Sequence, residues 1–554
     1  MMEPFETIDI QELPLSVPTI RRQVEDFLGS NGLRLGEVDL YLAILSEEGA
    51  ILAGGGLLRD ILKCLAVSAE ARSLGLSVPL ISRLLSVASE RGYTNVKVFT
   101  KPENRALFES LGFKLLASAP KAILLENGRG LADYCQYLRA YQAPGVLVMN
   151  ANPFTLGHRY LVEQASLTFR APEGRRNLVI IPVKEDVSRF SYTERLAMLR
   201  AGAGDLADVV EGSDYQISAT TFPTYFLKDL SDAAETQMRL DIDLFGRHIA
   251  PALGARVRFV GTEPTDPLTA RYNALMKEIL ASYGVEVVEI PRLLGAEGPV
   301  TATRVRALLD EGSFKAASAL TPESTWPYLR ADLAERALRM ELDTPMKPGL
   351  VGTDSMGAHK DMDYDVMRKG IAAIRPFFPR MATAGTPEEL RQLGIDAEAA
   401  MLAATGGVNT HRGAIFAFGL ALYPHPMAET AARLDDGTSK RREAGIRGAM
   451  QMAKEGYKEL FGDWMPYYAG VKADAYGLQK TLLRIMATLD DTCVIHRVGY
   501  ARAMEVKEEA KALAERFDRD KLKEMCDRYA AEGISPGGAA DMLALTILID
   551  SIFN

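Results

Sequence analysis

Apolar and polar positions change rhythm twice along the chain. In the first stretch, short apolar runs at 41–45, 51–53 and 62–67 predict strands. Glu47-Glu48-Gly49 supplies a hairpin turn between the first two. Helical spacing over 78–90 is followed by a strand-like run at 96–100. A second helix is expected at 103–111, closed by Gly112 where a left-handed residue commonly ends a helix. From 143 to about 318, strand-like runs at 146–149, 178–183, 257–260 and 285–290 alternate with helical spacing at 158–169, 192–201 and 269–282. Such alternation predicts a parallel sheet wound with helices, with ligands at the carboxyl ends of its strands. Beyond about 325 the alternation fades. Leu478, Leu482, Ile485, Met486 and Leu489 fall on one helical face, and the remainder reads as all-α. Pro322 and small polar neighbours at 320–325 mark a linker. The expected domains are 1–142, 143–320 and 330–554, with no internal repeat and no low-complexity tract.

Composition narrows the class. A chain of 554 residues, 47% hydrophobic and 25% charged, has the make-up of an ordinary globular protein with several domains. Its net charge of −9 argues against a general nucleic-acid binder and leaves room for a local basic pocket for phosphates. Cys64, Cys135, Cys493 and Cys526 are scattered, which argues against a disulfide framework or zinc site and for a reducing, cytoplasmic setting. The first residues lack the pattern of a signal peptide, and the apolar run 542–549, between Asp541 and Asp550, is too short to span a bilayer. No membrane association is expected.

The chemistry concentrates where the second segment starts. Residues 150–158 read Asn-Ala-Asn-Pro-Phe-Thr-Leu-Gly-His, between a strand-like run and a helical one. The turn resembles the Thr-x-Gly-His element with which one class of α/β nucleotidyltransferases holds ATP. Thr155 and His158 would face phosphates, and Gly157 would let backbone approach. The helix N-terminus would offer unpaired N–H groups. A second phosphate element is expected at 298–306, Gly-Pro-Val-Thr-Ala-Thr-Arg-Val-Arg, where Thr301 or Thr303 can cap a helix and Arg304 or Arg306 adds charge. The resemblance to such nucleotidyltransferases implies that the two elements close on one triphosphate. Lys184 and Lys228 are further phosphate or carboxylate candidates.

These stretches resemble the nucleotidyltransferases of the Thr-x-Gly-His type, a Rossmann-like α/β fold. More specifically, 150–162, the run 214–229 and Val260-Gly-Thr-Glu-Pro264 resemble [citrate (pro-3S)-lyase] ligase over about residues 1–320. Phe190-Ser-Tyr-Thr-Glu-Arg195 resembles that family's substrate-side turn. The resemblance implies activation of acetate by ATP as acetyl-AMP. The acyl group then passes to the prosthetic-group thiol of the acyl carrier subunit of citrate lyase. It also implies ATP contacts from Asn152, Gly157, Thr301, Thr303, Arg304 and Arg306, with Thr155 and His158 as catalytic residues and Mg²⁺ sharing the phosphate charge.

In the first segment a strand precedes Arg72-Ser-Leu-Gly75-Leu-Ser77, and Asn104-Arg-Ala-Leu-Phe-Glu-Ser-Leu-Gly-Phe113 follows a later strand. Together they resemble the GNAT acetyltransferases. The resemblance implies a CoA-type loop at Arg72, Gly75 and Ser77. No general base stands out, so a carrier or CoA-arm docking role is as open as acetyl transfer.

The third segment carries Met346-Lys347-Pro-Gly-Leu-Val351, His359-Lys-Asp361-Met-Asp363, Gly407-Val-Asn-Thr-His411-Arg412-Gly-Ala-Ile-Phe416 and Asp490-Asp491-Thr-Cys-Val-Ile-His496-Arg497. Carboxylates, histidines and basic residues at helix ends suit a metal-bound triphosphate and acid–base work. The stretches, with Ala540-Asp541-Met-Leu-Ala544, resemble triphosphoribosyl-dephospho-CoA synthase over about 330–554. That family joins ATP to 3′-dephospho-CoA and expels adenine. The expected roles are catalysis at Asp361, Asp363 and His411, phosphate contacts at Lys347 and Arg412, and Mg²⁺ at Asp490 and Asp491. His359 or His496 could also serve as acid or base. Val471-Lys-Ala-Asp-Ala-Tyr-Gly477 departs from the family's usual Arg-Gly-Glu-Ala-like segment. The expected whole is a bifunctional enzyme that matures citrate lyase. Its rivals are an adenylyltransferase acting on a phosphopantetheine-like acceptor and a carrier-protein assembly factor with a faded synthase domain.

Overall fold

A computed structural model describes residues 8–169, 176–184, 188–216, 230–264, 266–435 and 447–553. Most of the 214–229 motif, including Lys228, lies outside them. The chain forms two compact units, 1–152 with 157–299, and 153–156 with 300–554.

The first unit holds two sheets. Strands β1 (Gln11–Glu12), β2 (Leu40–Leu45), β3 (Ile51–Leu58), β4 (Ile61–Val67), β5 (Val96–Thr100), β6 (Lys114–Ser118) and β7 (Ile123–Asn127) form a seven-stranded sheet in the order β1-β2-β3-β4-β5-β7-β6. Every pairing is antiparallel except β4 with β5. The strand expected at 51–53 continues through Gly54, Gly55 and Gly56. A glycine run weakens a strand, but here side chains lie across it. A Cβ on Gly54 would sit 2.5 Å from the Tyr41 hydroxyl, one on Gly55 2.4 Å from Leu65 and one on Gly56 2.5 Å from Val38.

The second sheet is parallel. Strands β8 (Gly145–Met149), β9 (Leu178–Pro182), β10 (Asp208–Val209), β11 (Val257–Gly261) and β12 (Glu286–Ile290) lie in the order β10-β9-β8-β11-β12. The order reverses between β8 and β11, and a crevice at such a point is where open α/β sheets bind ligands. The loop from 150 follows β8 directly. A single apolar cluster joins Phe99, Leu116 and Leu124 of the first sheet to Val146, Val179 and Ile181 of the second.

The described part of the second unit is helical, apart from short turns. Helix Gly537–Phe553 is apolar on nearly every side, with Met542 through Ser551 buried, so other helices must surround it. Helices Trp326–Asp343, Arg412–Leu422 and Gly477–Thr488 pack against it. Among the described residues no helix is long and apolar enough to cross a membrane.

Candidate functional sites

The loop after β8 is shaped by a buried arginine. Arg195 is fully buried in helix Tyr192–Ala203, which a Ser191/Glu194 capping box starts. Its guanidinium donates to the carbonyls of Asn150 (3.0 Å), Val183 (2.7 Å) and Phe190 (3.1 Å), and to the Asn150 side chain at 2.6 Å. Asn152 Oδ1 accepts the Phe190 N–H at 3.1 Å. Ala151 is thereby held at φ +49°, a region that alanine rarely visits. The turn at 190–195 thus positions 150–152.

His158 lies in the first turns of helix Leu156–Leu167. Burial, with help from the nearby Arg292 charge, pushes its imidazole down to about 4. Near neutrality it is therefore uncharged and offers a hydrogen bond rather than a cation. Arg292 itself donates to the Thr262 carbonyl at 2.7 Å and pairs with Glu263. Lys184 is exposed and pairs with Asp214 at 3.4 Å.

Pro153–Leu156 belongs to the helical unit. Thr155 is buried there, the Leu156 N–H donates to the Leu320 carbonyl at 2.9 Å, and the Thr325 hydroxyl donates to the Phe154 carbonyl at 2.9 Å. In the same unit Thr301 caps helix Ala302–Asp310 by accepting the Arg304 N–H at 3.2 Å. Arg306 donates to the Thr303 hydroxyl at 3.1 Å, and Arg304 stands 3.8 Å from Glu311.

In the seven-stranded sheet, β4 and β5 pair only at Ile61 with Lys97 and Leu62 with Val98. Beyond that point they diverge, and a cavity of about 460 Å³ opens between them, with Arg72, Ser77, Ala66, Phe99 and Asn104 on its wall. Gly75, at φ +68°, ends a 3₁₀ turn one residue before Leu76, and helix Ser77–Glu90 starts there.

The helical unit holds a cavity of about 250 Å³ whose wall includes Glu341, His359, His411, Arg412, Cys493 and Asp541. His411 is 4% exposed, and its Nδ1 meets the Thr410 hydroxyl at 2.8 Å. Its Nε2 is buried with no hydrogen-bond partner. Burial, then the Lys347 charge, pushes the imidazole down to about 4. Lys347 lies beneath, donating to the Glu341 carbonyl at 2.7 Å and to its carboxylate. Asp541 is held well above the usual carboxylate range, first by burial and then by the Glu341 charge, with the Ala414 N–H pulling the other way. It sits so close to the start of helix Arg412–Leu422 that a Cβ on Gly413 would lie 2.0 Å from its Oδ2. The cavity thus brings together a carboxyl whose protonated form is favoured and a neutral imidazole.

The other expected residues of this segment stand elsewhere. Asp361 is exposed, and Asp363 caps helix Tyr364–Ile374 through the Val366 N–H at 2.8 Å. Neither is on the cavity wall, where His359 takes their place, 2.9 Å from the Ser535 hydroxyl. Asp490 pairs with Lys507 at 2.7 Å. Asp491 accepts the N–H groups of Cys493 (2.8 Å), Val494 (3.3 Å) and Ala539 (2.9 Å). Among the described residues no three His, Cys, Asp or Glu side chains are placed to hold a metal ion. Of Glu341 and Asp541, absent from the expected site, Asp541 could have been noticed as an acidic residue opening an apolar run.

Known proteins match this chain in two blocks. The family model described as the citrate lyase ligase C-terminal domain matches residues 144–329. The one described as ATP:dephospho-CoA triphosphoribosyl transferase matches 328–433 and 423–554. A [citrate [pro-3S]-lyase] ligase from Klebsiella pneumoniae is 41% identical over 322 residues, 56% of this chain and 92% of that protein. Its counterpart from Escherichia coli (strain K12) is 38% identical over 56% of this chain and 90% of that protein. A probable 2-(5''-triphosphoribosyl)-3'-dephosphocoenzyme-A synthase from Azotobacter vinelandii is 35% identical over 40% of this chain and 90% of that protein. The chain belongs to both families. The loop at 150–158 and the Arg195 clamp fall in the citrate lyase ligase block. The His411–Asp541 cavity falls in the triphosphoribosyl transferase block.

Proposed function

We propose that the chain is a bifunctional enzyme that matures citrate lyase. The observation that carries this reading is the presence, end to end in one chain, of nearly the full length of a citrate lyase ligase and of a triphosphoribosyl-dephospho-CoA synthase. The rival adenylyltransferase reading accounts for neither the whole first block nor the second.

In the ligase reaction an acetate oxygen attacks the α-phosphorus of ATP and pyrophosphate leaves. The thiol of the prosthetic group on the acyl carrier subunit then attacks the acetyl carbonyl, and AMP leaves. The parallel sheet serves as a Rossmann-like nucleotidyltransferase core. Thr155 and a neutral His158 donate hydrogen bonds to the departing phosphates, while Arg304 and Arg306 supply positive charge. Asn152 and Gly157 shape the approach, and Thr301 and Thr303 are further phosphate contacts. The seven-stranded sheet serves as a GNAT-like domain, and its splayed strands, with Arg72, Gly75 and Ser77 at one end, serve as a receptor for a CoA-type arm.

In the synthase reaction a ribose hydroxyl of 3′-dephospho-CoA attacks C1′ of the ATP ribose. The bond to adenine breaks, and adenine leaves with the electron pair. The hydroxyl must lose a proton and adenine must gain one. His411 is the acceptor, with Nε2 open. Asp541 is the donor, because burial and the Glu341 charge favour the protonated form of its carboxyl. Arg412 holds phosphate, and Lys347 fixes Glu341. Both reactions run in the cytoplasm.

The test uses the purified full chain and mass spectrometry. ATP with acetate should give acetyl-AMP and pyrophosphate. ATP with 3′-dephospho-CoA should give free adenine and a product retaining the triphosphate. Adenine release without dephospho-CoA, or pyrophosphate release that ignores acetate, would overturn the reading.

A further inference from the structure

One buried cation in the sheet unit lacks the partners that such a group requires. Arg258 on β11 is 4% exposed. Its Nη2 reaches the Tyr272 hydroxyl at 3.4 Å, and its guanidinium lies 4.3 Å over the Phe245 ring. Its Nε and Nη1 are buried without a hydrogen-bond acceptor. The Gln216 amide nitrogen, on the same cavity, is also buried and unpartnered, while its oxygen takes the Lys184 N–H at 3.3 Å. Buried donors on a charged group are costly to leave unmet, so two such groups facing one space point to an acceptor. Asp241 on the wall accepts the Tyr272 hydroxyl. It offsets part of the charge and leaves Nε and Nη1 unmet.

The cavity lies at the expected place for a ligand. Arg258 shares register with Val146, and Val148 shares register with Ile181. Side chains two apart on a strand share a face, so Arg258, Val148 and Ile181 rise together across the reversal between β8 and β11. Val148 and Ile181 line the space near the carboxyl ends of their strands. The volume open to atom centres is about 20 Å³. That corresponds to a sphere roughly 3.4 Å across, above the minimum for one water. Bonds of about 1.2 and 1.5 Å put all heavy atoms of acetate within about 2.4 Å of one another. Two more carbons would exceed the space.

We propose that this cavity seats the small carboxylate substrate, with Arg258 and Gln216 donating to the carboxylate and Ile181, Val148 and Phe245 walling the methyl group. The inference rests on the ligase reading above and adds where its acid binds and why that acid is short.

The experiment measures acetate-dependent exchange of pyrophosphate into ATP by the full chain. Arg258→Met keeps the apolar stem and removes every donor. It should raise the acetate KM about 100-fold and leave the KM for ATP and adenine release unchanged. Gln216→Leu, at a half-buried position, should raise the acetate KM roughly 3- to 10-fold. It decides the matter if the arginine variant fails to fold. Saturation-transfer NMR without ATP should show acetate bound to the wild type, no acetate bound to Arg258→Met, and no binding of butyrate. An unchanged acetate KM in either folded variant overturns the proposal. So does binding of butyrate as tight as that of acetate. Acetate bound through Arg258 with no exchange in the wild type would sink the ligase reading while leaving the pocket standing.

Discussion

The imidazole of His411 should set an acid-sensitive stability in the helical unit, and the structure fixes its size. Folded, the group is pushed down to about 4 by burial and by Lys347. Unfolded, it returns to about 6.5. Between these values the unfolded chain binds more protons than the folded one, so stability falls as pH falls. Linkage over that interval gives about 2 kcal/mol lost between pH 7 and pH 5, and about 3 kcal/mol in the acid limit. Asp541 and Glu341 tilt the other way, because their folded forms hold protons that the unfolded carboxyls release. The readable quantity is therefore the difference between wild type and His411→Gln, measured at each pH. The chain has two tryptophans, Trp326 and Trp464, and both belong to the helical unit. Urea unfolding followed by tryptophan fluorescence thus reports on that unit. The variant's stability relative to wild type should improve by about 2 kcal/mol on going from pH 7 to pH 5. A relative stability that moves by less than about 0.5 kcal/mol would refute the burial argument, since one pKa unit is worth about 1.4 kcal/mol.

Three further outcomes follow from the same geometry. Gly413→Ala should abolish adenine release and leave acetate activation intact, because its Cβ would lie 2.0 Å from the Asp541 carboxylate; product analysis on one sample checks both activities. His158→Ala should lower acetate-dependent pyrophosphate exchange roughly 100-fold or more, the scale of one lost transition-state donor, with adenine release unchanged. Gly55→Leu should prevent soluble expression of the full chain, since even a Cβ there would lie 2.4 Å from Leu65.

The strand runs and the turns that follow them could be read because they are local. Apolar runs at 146–149 and 257–260 and the turn at 150–158 carry their own patterns. The sheet order could not be read, because pairing depends on which runs meet. Neighbouring carboxylates suggested a shared metal site. Asp490 and Asp491 adjoin in sequence, but consecutive residues at a helix start point apart. One reaches Lys507 and the other caps helix Thr492–Val498. Conversely, Asp541 and Arg258 sit among apolar neighbours, where sequence patterning treats a charge as an interruption, and Glu341 reads as one more charge between Arg339 and Asp343. Their partners, Lys347, the Ala414 N–H and the Phe245 ring, come from other elements or later turns.

The two families meet inside a helix. The ligase match ends at 329 and the synthase match starts at 328, within Trp326–Asp343. Leu329, Leu333, Leu338 and Leu342 of that helix are buried in the helical unit. Its first turn is anchored by Trp326, whose indole donates to the carbonyls of Ser318 and Thr321 at 3.3 Å and meets Phe314 edge-on. A fragment that starts at 330 loses this turn with Trp326 and Leu329, at about 3–5 kcal/mol for the tryptophan alone by analogy with large core deletions. A fragment that starts at 300 keeps the turn and loses only Pro153–Leu156, which removes the buried Phe154 and the carbonyl that Thr325 binds. Stability by tryptophan fluorescence should therefore rank the full chain above 300–554, and 300–554 well above 330–554. Equal midpoints for the two fragments would mean that residues 300–329 contribute nothing to the helical unit, and the fusion would then be a simple joining of two independent blocks.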